Sequence, residues 1–221
     1  MTRIKICGVT NEKDALWASN AGVDFIGLNF YKNSPRKISV DMAKKIAASL
    51  PEFVKSVGVF VDDEIENILK IVKKAGLRAV QLHGNETPEY CAELKQIISS
   101  SIPANLLWEG KPQIIKAFRI GSNFQIEQLS GYNNVDYFLL DAFVDDLLGG
   151  TGQTFNWDMA IEIKKLGKPI FLSGGLTPEN VTEAIKKTEP FAVDVCSGIE
   201  RTPTRKDYDK MMAFIKAVRK L

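Results

Sequence analysis

One pattern constrains this chain more than any other: a short apolar run followed by a longer segment of helical period, repeated eight times. The runs are Ile4–Cys7, Phe25–Phe30, Val54–Val61, Ala79–Leu82, Ile114–Arg119, Val135–Asp141, Pro169–Ser173 and Phe191–Cys196. They lack the strict polar alternation of a half-exposed sheet, and continuous apolar strands are what a parallel sheet covered on both faces requires. The segments of helical period are Glu12–Ala21, Val40–Leu50, Glu64–Ala75, Pro88–Ile98, Phe124–Ser130, Trp157–Leu166, Pro178–Lys187 and Lys206–Lys220. Eight such units in 221 residues favour a closed (β/α)8 TIM barrel, a single domain over 1–221, over an open doubly wound α/β sheet.

Local signals fit that phasing. Thr10 in "TNEKDA" and Thr177 in "TPEN" precede acidic residues, as helix N-termini prefer, and Pro178 stands where a first-turn proline is tolerated. Gly76 in "KKAGLRAV" marks a helix end before the next strand. Two connections exceed the rhythm, Ser99–Pro112 and Ala142–Phe155, and loops of that length are usually functional or poorly ordered.

Composition excludes several classes. A formal net charge of +2, spread along the chain, leaves no nucleic-acid footprint. The longest apolar stretches fall short of the roughly 20 residues of a membrane span, and the start of the chain lacks a signal-peptide core, so a cytoplasmic protein without membrane contact is expected. Cys7, Cys91 and Cys196 are too widely spaced for a disulfide framework or a zinc site, and Cys91 falls at a core helical position. With His83 as the sole histidine, a multi-histidine metal site is excluded, and no metal or cofactor is expected.

Active sites of such barrels lie at the C-terminal ends of the strands. The residues there are Cys7, Gly8, Asn29, Gln81, His83, Arg119, Asp141, Ser173 to Gly175 and Cys196 to Gly198. Three glycine-bearing turns fall in the last third: Gly149 to Gly152 including Gly150 and Gly152, Gly174 with Gly175, and Ser197 with Gly198. Glycine lets backbone N–H groups approach an anion, and the loops after strands 7 and 8 form the usual phosphate cradle of these barrels. A small phosphorylated substrate is therefore expected. No lysine or arginine lies within these turns, which leaves the neutralising to main-chain donors.

Eight motifs in order, "KICG", "SPR", "VGVF", "QLHG", "LLD", "GGTG", "LSGGL" and "SGIE", resemble the phosphoribosylanthranilate isomerase family of tryptophan biosynthesis. The resemblance implies an Amadori rearrangement of N-(5-phosphoribosyl)anthranilate to 1-(2-carboxyphenylamino)-1-deoxyribulose 5-phosphate without a cofactor. It also implies Cys7 as general base, Asp141 as general acid, Arg36 as the partner of the substrate carboxylate, and His83 with the glycine turns as further substrate-binding residues. Family members are monomers or homodimers, and either state is expected. The chain departs from the family at Asn156, where aspartate is usual, and at Cys196, commonly serine, and its Ser99–Pro112 connection is longer. Two other readings stay open at this stage. One is a different phosphosugar barrel, an epimerase or lyase; the other is a non-catalytic barrel that binds a phosphometabolite.

Overall fold

In the computed structural model, which describes residues 1–102, 111–142 and 157–221, eight parallel strands close into a barrel in the order β1 to β8. They are β1 Arg3–Ile6, β2 Phe25–Asn29, β3 Lys55–Phe60, β4 Ala79–Leu82, β5 Gln113–Ile120, β6 Tyr137–Ala142, β7 Ile170–Ser173 and β8 Ala192–Val195. The expected fold is the one observed. Closure is made by β1 against β8, with Lys5 opposite Asp194 and Ile6 opposite Val195.

Among the described residues seven α-helices surround the barrel: α1 Glu12–Asn20, α2 Val40–Ser49, α3 Ile65–Ala75, α4 Pro88–Ser101, α5 Trp157–Lys164, α6 Val181–Thr188 and α7 Tyr208–Arg219. The expected helix at Phe124–Ser130 is instead a single 3₁₀ turn, Ile126–Leu129, without a side-chain cap and followed by Gly131 at φ +87°. The segment is too short to repay helix nucleation, so a tight turn bridges β5 and β6. Helix α4 runs three residues past its expected end, because Ile98 and Ile102 continue its buried stripe.

Capping corrects three further details. Asn11, not Thr10, caps α1 through its side chain, whereas the Thr10 hydroxyl donates to the Thr204 carbonyl. Helix α6 starts at Val181, after a turn in which Thr177 Oγ1 accepts from the Glu179 N–H. The last helix begins after Asp207, and Lys206 belongs to a small hairpin, β9 Glu200–Thr202 with β10 Arg205–Lys206. Gly76 ends α3 in the left-handed conformation, as its position predicts.

Side chains two apart on a strand share a face, so the barrel interior fills in layers. Toward the N-terminal ends of the strands it is apolar: Phe25, Val57, Ala79, Ile115, Tyr137 and Phe171 pack together, with the Phe25 and Phe171 rings 5.1 Å apart. One step higher the same faces carry Lys5, Gly27, Gln81 and Asp194, and the step above that reaches the mouth. The larger apolar layer lies between the sheet and the helices, where Cys91 is fully buried as expected.

Candidate active site

A cavity of about 350 Å³ opens at the C-terminal mouth, lined by Cys7, Gly8, Asn29, Arg36, His83, Asp141, Ser173 to Leu176 and Asp194 to Gly198. Cys7, Arg36, His83, Asp141, Gly174, Gly175, Ser197 and Gly198, all singled out from the sequence, meet there. Gly150 and Gly152 lie outside the described residues, as does Asn156. A second cavity of about 540 Å³ shares His83 and is walled by Tyr31, Phe118, Phe124 and Tyr132.

Cys7 follows β1, and its N–H donates to the Val195 carbonyl at 2.9 Å. Below it, Lys5 is wholly buried and its ammonium contacts Asp194 Oδ1 at 2.9 Å. Burial opposes the Lys5 charge, yet Asp194 and Cys7 hold the group protonated above its ordinary range. Burial pushes Asp194 up, to about 6, against the pull of Lys5. Cys7 is driven the other way: a hydrogen bond from the Cys196 thiol, with the charges of Lys5 and Lys206, outweighs burial and holds Cys7 well below the usual thiol range. Cys196, the donor of that pair, is held up. These surroundings favour a thiolate above the ammonium, the state a thiol needs in order to act as a base.

Room for this arrangement comes from Gly27 in β2. A β-carbon there would fall 2.8 Å from Cys7 Sγ, 3.0 Å from Cys7 Cα and 3.2 Å from Lys5 Nζ. An isolated glycine within a strand signals such a close approach. The sequence reading passed over Gly27, and over Lys5 and Asp194, lone charges of opposite sign inside two apolar runs.

Across the mouth, Asp141, next to last in β6, has Oδ2 at 3.2 Å from His83 Nε2, and His83 Nδ1 lies 2.8 Å from Gln81 Nε2. Arg36 is not a solvated surface arginine. Its Nε and Nη2 donate to Glu200 Oε1 and Oε2 at 2.7 and 2.6 Å, a bidentate contact that leaves Nη1 outside it. Lys206 contacts the same carboxylate at 3.1 Å. Burial would raise Glu200, but Arg36 and Lys206 hold it below the ordinary carboxylate range. Glu200 is thus the post on which Arg36 is fixed, and Gly8 at φ +70° lets the guanidinium stem pass, since a β-carbon there would fall 2.5 Å from Arg36 Cδ.

The loops after β7 and β8 touch through their backbones. Gly174 and Gly175 have φ of +89° and +64°, and a β-carbon on Gly198 would fall 2.0 Å from the Leu176 carbonyl oxygen. Successive N–H groups in such turns make a concavity suited to an anion. Among the described residues no group of side chains suited to a metal ion occurs, and no helix is long and apolar enough to cross a membrane.

Comparison with known proteins gives the family and the fold. Residues 4–217 match the family model described as N-(5'phosphoribosyl)anthranilate (PRA) isomerase. N-(5'-phosphoribosyl)anthranilate isomerase of Trichlorobacter lovleyi is 43% identical over 216 residues, covering 98% of this chain and 97% of that protein. The enzyme of the same name from Geotalea uraniireducens is 42% identical over the full length of both. The crystal structure of phosphoribosyl anthranilate isomerase from Thermotoga maritima superposes with a TM-score of 0.87 at 39% identity, covering all of both chains. A further isomerase structure, in complex with reduced 1-(o-carboxyphenylamino)-1-deoxyribulose 5-phosphate, gives 0.84 at 38% identity, again over all of both chains.

Proposed function

The chain belongs to the N-(5'-phosphoribosyl)anthranilate isomerase family, and from that membership we propose that Cys7 and Asp141 are the base and acid of its reaction. The protein is an isomerase of tryptophan biosynthesis, which converts an aminoaldose phosphate to the corresponding aminoketose. The observation that carries the assignment is the convergence of Cys7, Asp141, Arg36 and the two glycine-bearing loops on one cavity.

The rearrangement needs one proton given and one taken. Asp141, as the general acid, protonates the furanose ring oxygen; the C1′–O bond opens as the aniline nitrogen pushes in, and an iminium forms. The Cys7 thiolate then removes the proton from C2′, and the electron pair left behind neutralises the iminium to give the enolamine, which tautomerises to the ketose. Arg36, braced by Glu200, takes the substrate carboxylate on its outer edge, and backbone N–H groups of the Gly174–Gly175 and Ser197–Gly198 loops take the phosphate. Epimerase and lyase readings receive no support from these groups, and a pure binder needs neither a thiolate nor a facing acid. The whole chain, 1–221, acts as one catalytic unit in the cytoplasm, as monomer or homodimer, with the phosphorylated substrate as its partner.

The test is kinetic. Cys7→Ala and Asp141→Asn should each lower kcat by at least about 10²-fold, the usual worth of a general acid or base, and change KM far less. Turnover followed by loss of substrate fluorescence checks this, and near-normal kcat in either variant removes that residue from its role.

A further inference from the structure

Beyond the hydrogen bond that it gives to Cys7, the Cys196 thiol takes part in no step of the isomerisation as proposed. Lys5 and Asp194 are register partners across the β1–β8 closure, and their side chains meet at 2.9 Å inside the barrel. Two residues further on, each one residue past the end of its strand, stand Cys7 and Cys196, both lining the cavity at the mouth. Neighbouring strands run about 4.8 Å apart, and disulfides bridge Cα atoms roughly 4.4 to 6.8 Å apart. Both thiols are partly exposed and line the same cavity, so a small oxidant that enters the mouth reaches them together. Cys91, the third thiol, is sealed in the core.

We propose that Cys7 and Cys196 are a modification site, a pair that closes to a reversible disulfide when a small hydroperoxide enters the active-site mouth. The thiolate of Cys7 attacks the distal peroxide oxygen; the O–O bond breaks, the alkoxide leaves and is protonated to the alcohol, and Cys7 becomes a sulfenic acid. With the negative charge of Cys7 gone, the cations nearest Cys196 are Lys206, whose Nζ lies 3.8 Å from Cys196 Sγ, and Arg36, both of them also paired with Glu200. They favour a Cys196 thiolate, which attacks the Cys7 sulfur and expels hydroxide, released as water. The two thiols lose two electrons in all, and the hydroperoxide is reduced to alcohol and water. Serine at this position could not resolve the sulfenic acid, which ties the chemistry to Cys196.

The consequence for activity rests on Cys7 being the base, but bond formation does not, so the two are read separately. Hydrogen peroxide is added to the reduced full-length protein, and intact mass and peptide mapping follow the thiols while turnover is assayed. Expected is a species lighter by two hydrogens with a Cys7–Cys196 linked peptide, loss of turnover in parallel, and recovery of both with dithiothreitol. In Cys196→Ser the linked peptide is absent, a dimedone adduct appears on Cys7, and prolonged exposure gives sulfinic acid that dithiothreitol does not reverse. A linked species that retains turnover upholds the disulfide and overturns the role of Cys7 as base. Absence of the Cys7–Cys196 peptide, linkage through Cys91 or between chains, or full dithiothreitol recovery of Cys196→Ser after the same exposure overturns the proposal.

Discussion

His83 is clamped between an amide and a carboxylate: Gln81 Nε2 lies 2.8 Å from Nδ1, and Asp141 Oδ2 lies 3.2 Å from Nε2. With the amide nitrogen donating, the ring carries its proton on Nε2 and gives that hydrogen bond to Asp141. Gln81 Oε1 is buried without a hydrogen-bond partner. Turning the amide round satisfies it with the Nδ1 proton and makes Nε2 the acceptor that a protonated Asp141 requires. Gln81→Leu, near in volume but unable to follow either state, should lower kcat by about tenfold, the worth of one buried hydrogen bond. KM should change little, and Gln81→Glu should retain more turnover than Gln81→Leu. Equal kcat in wild type and Gln81→Leu would show that the clamp does not serve the acid.

Gly27→Ala tests the floor under the thiolate. The new methyl group meets Cys7 Sγ at 2.8 Å and, at 3.0 Å, the Cys7 backbone, which cannot yield as a side chain can. The thiol must shift, and displacement of a reacting group by about 1 Å costs on the order of 10²-fold in rate. Steady-state assays should show that loss in kcat with inhibition by inorganic phosphate unchanged, because the proposed anion cradle is built on the loops after β7 and β8 and not on β2.

Gly198→Ala tests the cradle itself. Gly198 has no positive φ, so alanine brings no backbone strain, but its β-carbon at 2.0 Å from Leu176 O forces the two loops apart. Competitive inhibition by inorganic phosphate should weaken several-fold together with substrate KM, while the circular dichroism spectrum stays that of the parent. Gly175 is a poorer probe, because at φ +64° any side chain is strained whether or not phosphate binds there.

Stability should carry the mark of the Cys7 thiolate. Its folded value lies below the ordinary one, whereas in the unfolded chain a cysteine titrates near 8.5, roughly. Between the two the unfolded chain binds the proton and the folded chain does not, so the fold gains stability as pH rises through that window. The contribution is lost as pH falls through the folded value. Above the window Cys196, held up by the same contact, acts with the opposite sign. Urea unfolding from about pH 6 to about pH 8 should therefore show wild type gaining on Cys7→Ala as pH rises; parallel curves would mean that the folded Cys7 thiol is not depressed.

Much of this protein was legible in its sequence for a physical reason: buried parallel strands must be apolar on both faces, so each of the eight announces itself, and the residue that ends it marks the mouth. Cys7, His83 and Asp141 were found that way. The fifth crossover misled because "FQIEQLSG" has helical composition but not the length to hold a helix. Lys206 was assigned to the last helix because its own spacing is helical; only the fold shows that it turns inward to Glu200 and Cys196. Glu200 was quoted for its motif and not for Arg36, since a bidentate contact across 164 residues leaves no local trace. Gly27, Lys5 and Asp194 did leave a trace, as breaks in apolar runs, and two opposite charges at matching depth in the first and last strands are a signal that barrel sequences can be searched for.

The pairing of Lys5 with Asp194 also sets an order of events in time. The two are 189 residues apart, so during synthesis the ammonium of the first strand has no counter-ion until the eighth is made, and a contact of that separation is entropically among the last to form. Until then a buried charge would be uncompensated, which holds the first strand in water rather than in a half-built core. Cys7 is therefore born as an ordinary thiol and acquires its distinctive surroundings only when the sheet closes. Fragments that stop short of β8 leave it unactivated, whatever structure they form, so reactivity toward an alkylating reagent at neutral pH dates the completion of the barrel.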